Sequence, residues 1–362
     1  MKKITYSFKI TVVCVFLLAP LKYGLAQEQA IRAGSAGASE LLINPFGRSS
    51  GWGTANIASV SGLEGQYSNV AGLASTEKTE LIFTQTSWLQ YGNELFNPNE
   101  SVSSISAFGF SQKIGESGVI GLGVMAINFG DIEITTVDMP DGGIGTFSPR
   151  FMNIGASYAH VFSNSIQGGA TVRIISEQIS DLSANGVAFD AGIQYRTGDQ
   201  DRLKFGISFK NWGPRMSFSG DGLSFRGIIP GGSDDDYKMT VEQRGSYFDL
   251  PALFNIGMSY DINMINHRLT GAGTFTSNSF QKDQYRLGGE YSYKEYFMLR
   301  AGFVYEEGLL DFDTRTTAVV GPTAGFTVEL PIDNESTFGV DYSYRYTTPF
   351  KGCHAIGCRI DL

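Results

Sequence analysis

Val187-Ala188-Phe189-Asp190-Ala191-Gly192-Ile193-Gln194-Tyr195-Arg196 reads as a strand with two unlike faces. Val187, Phe189, Ala191, Ile193 and Tyr195 fall on one side; Asp190, Gly192, Gln194 and Arg196 fall on the other. A period of two is strand geometry, because successive side chains leave opposite faces of the pleat. The pattern recurs on both sides of this stretch. Leu203, Phe205, Ile207 and Phe209 alternate with Lys204, Gly206, Ser208 and Lys210, and Phe254, Ile256, Met258 and Tyr260 with Asn255, Gly257, Ser259 and Asp261. Phe297, Leu299, Ala301 and Phe303 alternate with Met298, Arg300 and Gly302, and Phe338, Val340, Tyr342 and Tyr344 with Asp341, Ser343 and Arg345. The alternation predicts fourteen strands, near 79–89, 101–112, 118–130, 147–162, 166–177, 184–197, 203–213, 250–262, 267–279, 284–294, 296–306, 315–330, 336–347 and 352–362.

A soluble sandwich also alternates, so further features must decide. Runs of about 9 to 13 residues exceed the usual 5 or 6 of soluble sheets and suit a tilted membrane crossing. Aromatic residues gather toward strand ends (Trp88, Tyr91, Phe129, Phe162, Trp212, Tyr296, Phe297 and Tyr346), as the interfacial girdles of membrane barrels require. Connections alternate between short turns (112–118, 163–165, 293–295), expected at the periplasmic end, and longer loops (131–146, 214–249, 307–314), expected outside. The chain ends on an alternating strand, His354, Ile356, Cys358, Ile360 and Leu362 on one face, which a closed barrel needs to pair with its first strand. The expected fold is all-β: a 14-stranded transmembrane antiparallel β-barrel over 79–362, in the bacterial outer membrane.

The amino terminus agrees with that compartment. Lys2, Lys3 and Lys9 precede an apolar run from Ile10 to Leu21, and Gly24-Leu25-Ala26 offers a cleavage site before Gln27, so residues 1–26 are predicted to be a signal peptide. The run is about 12 residues, short of the roughly 20 of a spanning helix. Its removal takes four lysines and no acids, moving the formal net charge from −9 to −13. An acidic chain without clustered Lys and Arg is a poor nucleic-acid binder, and no nucleic acid is expected as a partner. Cys353 and Cys358 on one strand would lie about 16 Å apart, too far for a disulfide.

Fourteen strands enclose more space than their own side chains fill, since about eight nearly suffice. Residues 27–78 do not alternate; they are rich in small residues around one apolar cluster, Leu41-Leu42-Ile43-Asn44-Pro45-Phe46, and are read as a hatch in the lumen or its periplasmic mouth. The inferred lumen wall carries both signs: Arg173, Asp190, Arg196, Lys204, Lys210, Asp261, Arg286, Glu290, Arg300, Asp341 and Arg345. Mixed pairs crossing the lumen would hold a plugged barrel rigid, whereas a one-sign wall would suggest an ion-selective pore.

The segment from Ala38 to Gly53, with Leu41, Leu42, Ile43, Pro45, Arg48 and Gly51-Trp52-Gly53, resembles the start of the PorV/PorQ family of outer-membrane barrels of Bacteroidota. Asn69-Val70-Ala71-Gly72-Leu73 is similar to the Asn-Pro-Ala-Gly-Leu turn of the wider FadL-like group, with Val70 in place of proline. The resemblance implies a fourteen-stranded FadL-like barrel of the type IX secretion system, binding the translocon barrel and secreted cargo through the cargo's C-terminal signal domain. Its alternative implication is a FadL-like transporter of hydrophobic small molecules.

Nothing in the sequence points to catalysis. His160, His267 and His354 have no metal spacing with one another or with cysteine, and neither a nucleophile elbow nor a phosphate loop is present. No cofactor or metal is expected; Asp234-Asp235-Asp236 reads as a solvated loop tip. The loop from Pro214 to Pro251 carries apolar residues that invite a partner or a fold-back over the mouth: Phe218, Leu223, Phe225, Ile228 and Ile229 are the candidate partner-binding residues. Besides outer-membrane lipid, the expected partners are therefore the translocon barrel and its cargo.

Overall fold

The computed structural model describes residues 34–89, 103–228, 238–311, 313–333 and 336–362. The predicted signal peptide, Tyr91, Ile229 and the three aspartates from Asp234 to Asp236 lie outside the described residues. Fourteen antiparallel strands close into a barrel: β1 (Thr79–Ser87), β2 (Ser104–Ile114), β3 (Gly118–Asn128), β4 (Arg150–Val161), β5 (Ile166–Ile179), β6 (Leu182–Thr197), β7 (Leu203–Trp212), β8 (Leu253–Met264), β9 (His267–Asn278), β10 (Gln284–Tyr293), β11 (Phe297–Glu306), β12 (Gly321–Pro331), β13 (Thr337–Arg345) and β14 (Cys353–Asp361). Each pairs with its neighbours in sequence, and β1 closes on β14 from Glu80↔Asp361 to Ser87↔His354. Because every edge is paired, the only backbone groups facing lipid are already in ladders.

The apolar face of each strand points outward. Phe108, Leu122, Ile154, Ile193, Ile207, Ile256, Leu287, Leu299 and Ile356 are exposed around the whole circumference, while the alternate residues are buried. Phe162, Trp212, Tyr296, Phe297 and Tyr346 are exposed at strand ends and form the girdles. A closed barrel with this outer belt is an outer-membrane barrel, crossing the bilayer with strands.

Several expectations need correction. Trp88 is 8 % exposed and points inward, because Leu81, Phe83 and Gln85 set the outward phase of the chain entering it. Phe129 packs edge-on against Phe151 beside the core and is not a girdle residue. β12 begins at Gly321, later than predicted, because the Glu306 carboxylate takes the Thr316 amide (2.8 Å) and hydroxyl (2.6 Å) and holds that segment over the mouth. The charged pairs do not cross the lumen either. Arg173–Asp190 (3.0 Å), Lys204–Asp261 (2.6 Å), Arg268–Glu290 (2.9 Å) and Arg300–Glu290 join adjacent strands, since neighbouring strands lie within side-chain reach while the centre is occupied.

What occupies it is the segment 34–78. Four short helical turns, Ser39–Leu42, Gly47–Gly51, Gly62–Tyr67 and Val70–Ser75, are threaded through the lumen with most residues buried. Its first residues reach the outer loops: Ala36 bridges Asp249, and the Gly37 amide donates to the Asp249 carbonyl at 3.2 Å. Its last residues lead straight into β1.

Candidate functional site: the sealed lumen and its outer cavity

Four pairs of glycines, opposed across neighbouring strands on the lumen face, let the hatch lie directly on the wall. Gly206 and Gly257 face each other on β7 and β8 under Ile57 and Ala58, and a Cβ at Gly206 would stand 2.5 Å from the Ile57 carbonyl oxygen. Gly288 and Gly302 on β10 and β11 make the same saddle for Trp52, with 2.8 Å left for a Cβ at Gly288. Gly169 and Gly192 receive Asn69 and Val70, and Gly109 and Gly123 receive Leu63 and Gln66. At Gly206 and Gly302 the atoms in the way are backbone, so only glycine leaves room for this approach.

A segment with so little regular structure leaves its carbonyls without backbone partners, and buried ones must be paired. Wall side chains supply the donors. Gln194 Nε2 reaches the carbonyls of Ile57 (3.1 Å) and Val60 (3.0 Å); Arg173 reaches Gln66 (3.0 Å), Lys210 Tyr67 (2.6 Å), Ser208 Ser68 (3.1 Å), Thr274 Ala55 (2.8 Å), Thr323 Gly51 (3.0 Å) and Arg345 Asn44 (2.9 Å). Asn69 caps the turn Val70–Ser75 by accepting the Ala71 amide, and its Nδ2 donates to Ile57 and Ile193 at 3.1 Å each. That side-chain cap does what the missing proline would have done through φ.

The other hatch residues singled out in the sequence divide between core and cavity. Leu41 packs with Ala38, Ile175, Ala184, Ala188, Met216 and Leu250; Pro45 is buried and its carbonyl accepts from Thr86. Leu42 and Ile43 are half-buried and face the outer cavity. Arg48 pairs with a wall carboxylate, Asp341, at 4.0 Å. Glu64 accepts the Ser49 amide (2.9 Å) and hydroxyl (2.6 Å), and burial pushes its carboxyl up to about 7 against the pull of Arg48. Burial and then the Glu177 carboxylate push Glu40 up to about 8.

Above the hatch lies a cavity of about 240 Å³. Its apolar side is Leu42, Ile43, Trp88, Leu253, Val304 and Val319; its polar side includes Arg286 and Arg345. Below the hatch, at the turn end, the recess is mostly polar, with charged Arg48, Glu64, Lys204, Asp261, Arg268 and Glu290 around about 250 Å³.

The loop between β7 and β8 splits in two. Phe218 lies against Phe248 (5.7 Å between rings) and packs with Met216 on the hatch end, so it folds back over the mouth. Leu223 is half-buried, while Phe225 is 54 % exposed on a hairpin pairing Ser224–Ile228 with Lys238–Glu242. Ile228 closes that ladder opposite Lys238. Cys353 is buried inside and Cys358 lies on the outer face, both as free thiols.

No family model and no curated protein matches the sequence. Solved structures do match the fold. The CymD monoaromatic hydrocarbon channel superposes with a TM-score of 0.54 at 13% identity, covering 88% of this chain and 97% of that one. A monoaromatic hydrocarbon channel mutant of TodX gives 0.52 at 12% identity, covering 87% and 97%. The Ralstonia pickettii toluene transporter TbuX gives 0.51 at 12% identity, covering 88% and 97%. The chain therefore has the fold of the FadL-like hydrocarbon channels.

Proposed function

We propose that this protein is a hatch-gated outer-membrane channel for small hydrophobic molecules. The observation that carries the reading is the order of the parts along the barrel axis: an apolar-walled cavity on the loop side, then a hatch seated on glycine saddles that must shift before anything passes. The structural neighbours, described as monoaromatic hydrocarbon and toluene channels, support it as relatives in fold. The test is uptake of radiolabelled toluene by cells that express or lack the protein, with toluene quenching of the cavity tryptophan Trp88 in purified barrel. Uptake equal in the two strains, together with no quenching, removes the proposal.

A second reading is partner binding in type IX export. It rests on the hatch resemblance and on the exposed hairpin face formed by Phe225, Met239 and Val241. Deleting 224–242 should release a much larger co-purifying barrel from native membranes; unchanged pull-down composition would end it.

A further inference from the structure

The lumen wall carries more cationic charge than its carboxylates answer, and two of the unanswered guanidiniums stand together at the outer cavity. Five other cations are matched: Arg173 by Asp190, Lys204 by Asp261, Arg300 by Glu290, Arg268 by Glu290 and Glu295, Arg359 by Glu329 and Asp361. Lys210 donates to the Tyr67 carbonyl instead, and Arg196, at the turn end, has no ion pair among the described residues. Arg286 and Arg345, which line the cavity together, meet no carboxylate among the described residues. Among the described residues Arg345 gives one hydrogen bond, to the Asn44 carbonyl at 2.9 Å, and its guanidinium sits 5.4 Å from the centre of the Trp88 ring. Arg286 donates to the Thr54 hydroxyl and to Gln284 Oε1 (2.8 Å), and its enclosed Nε has no partner among the described residues. Glu306 is held by Thr316 and by Gln284, so Arg286 reaches it only through the Gln284 amide.

A guanidinium offers five N–H donors and is charged at every working pH. Two of them, taken from water and answered only by neutral oxygens, are costly unless a negative group joins them. The same cavity offers Leu42, Ile43, Val304, Val319 and the Trp88 face to an apolar body. At about 240 Å³ it is below the 300–1,000 Å³ typical of drug-sized ligands, which favours one ring over a long chain.

We infer that the outer cavity is a binding site for a small organic anion, with a carboxylate on Arg286 and Arg345 and a ring-sized apolar body against Trp88 and the hatch. The inference takes this cavity as the first station of the passage proposed above, and it makes the preferred cargo an aromatic acid where the structural neighbours are described with neutral hydrocarbons. The acid engages as its carboxylate; no bond is made or broken.

The experiment compares benzoate, benzyl alcohol and toluene on the purified full-length barrel in detergent, by calorimetry and Trp88 quenching, alongside uptake of each by cells. Benzoate should bind at least about tenfold tighter than benzyl alcohol, because charge-assisted hydrogen bonds are roughly twice as strong as neutral ones. Arg286→Met and Arg345→Met should each bring the ratio of benzoate to benzyl alcohol affinity down to about one, and Arg345→Lys should restore part of it. Each variant must keep the heat-dependent gel shift of a folded barrel. Equal affinity for benzoate and benzyl alcohol, or a preference that survives both methionine variants, overturns the anion site and leaves the channel reading intact. Arginine-dependent benzoate binding with no uptake of any probe upholds the site and removes the channel reading instead.

Discussion

Replacing Gly206 with valine should loosen the hatch and leave the barrel folded. Already the first added carbon would stand 2.5 Å from the Ile57 carbonyl oxygen and 2.8 Å from the Ala58 Cα, both backbone atoms that no rotamer change can move. Overpacking of this kind costs about 1–3 kcal/mol. The displaced carbonyl also accepts from Gln194 and Asn69 at 3.1 Å each, and losing two such bonds adds about 1–3 kcal/mol. Together the sealed state loses about 2–6 kcal/mol, and since every 1.4 kcal/mol is tenfold, its population relative to an unsealed state falls by about thirtyfold or more. Single-channel conductance in planar bilayers reads this directly: rare openings in the parent, frequent large ones in Gly206→Val. Gly271→Ala, whose Cβ would meet nothing within 4 Å, is the matched control and should behave as the parent. A folded Gly206→Val barrel as silent as the parent would refute the view that the glycine saddles make the seal.

Three further outcomes follow from the same geometry. Asn69→Ala removes a cap, worth about 0.5–2 kcal/mol, and takes one donor from each of the Ile57 and Ile193 carbonyls, so the hatch should be cleaved by added protease faster while the barrel strands stay protected. Asp190→Asn breaks a buried pair with Arg173 and weakens the carboxylate that accepts the Asn211 amide at the β6–β7 bulge; a loss of about 3–5 kcal/mol should lower the temperature of the gel shift. Glu40, a hatch acid raised by burial and by Glu177 to about 8, stabilises fully below its unfolded value near 4.5 and loses that contribution as pH rises toward 8. Melting should therefore drop between pH 5 and 9, and Glu40→Gln should flatten the dependence.

The strands were readable because lipid outside and a filled lumen inside impose opposite demands on alternate residues, so the pattern survives along every crossing. Trp88 shows that the same rule could have gone further: Leu81 and Phe83 fix the outward phase, which turns Trp88 inward, yet residue type drew it to the girdle. The mixed-sign wall was visible, but its role was not. Arg173, Lys210 and Arg345 serve hatch carbonyls from more than 100 positions away, and no local pattern encodes which carbonyl lies opposite. Gly206, Gly257 and Gly302 stood on the inner face of the alternation from the start; that they meet in pairs depends on register, which pairing of strands alone decides. Of the outer loop, composition announced an apolar burden without showing that Phe218 turns in while Phe225 turns out.

The glycine saddles also bind the history of the wall to that of its filling. A bulkier residue at Ile57 has nowhere to go, and any side chain at Gly206 or Gly302 collides with backbone, so neither partner can drift alone. Lipid-facing positions such as Ile207 and Leu299 carry no such tie and accept any apolar residue. Saturation mutagenesis should thus map the intolerant sites onto the side of the wall that a vacant pore would leave free. A hatch transplanted into another fourteen-stranded barrel should fail to seat unless its saddles travel with it.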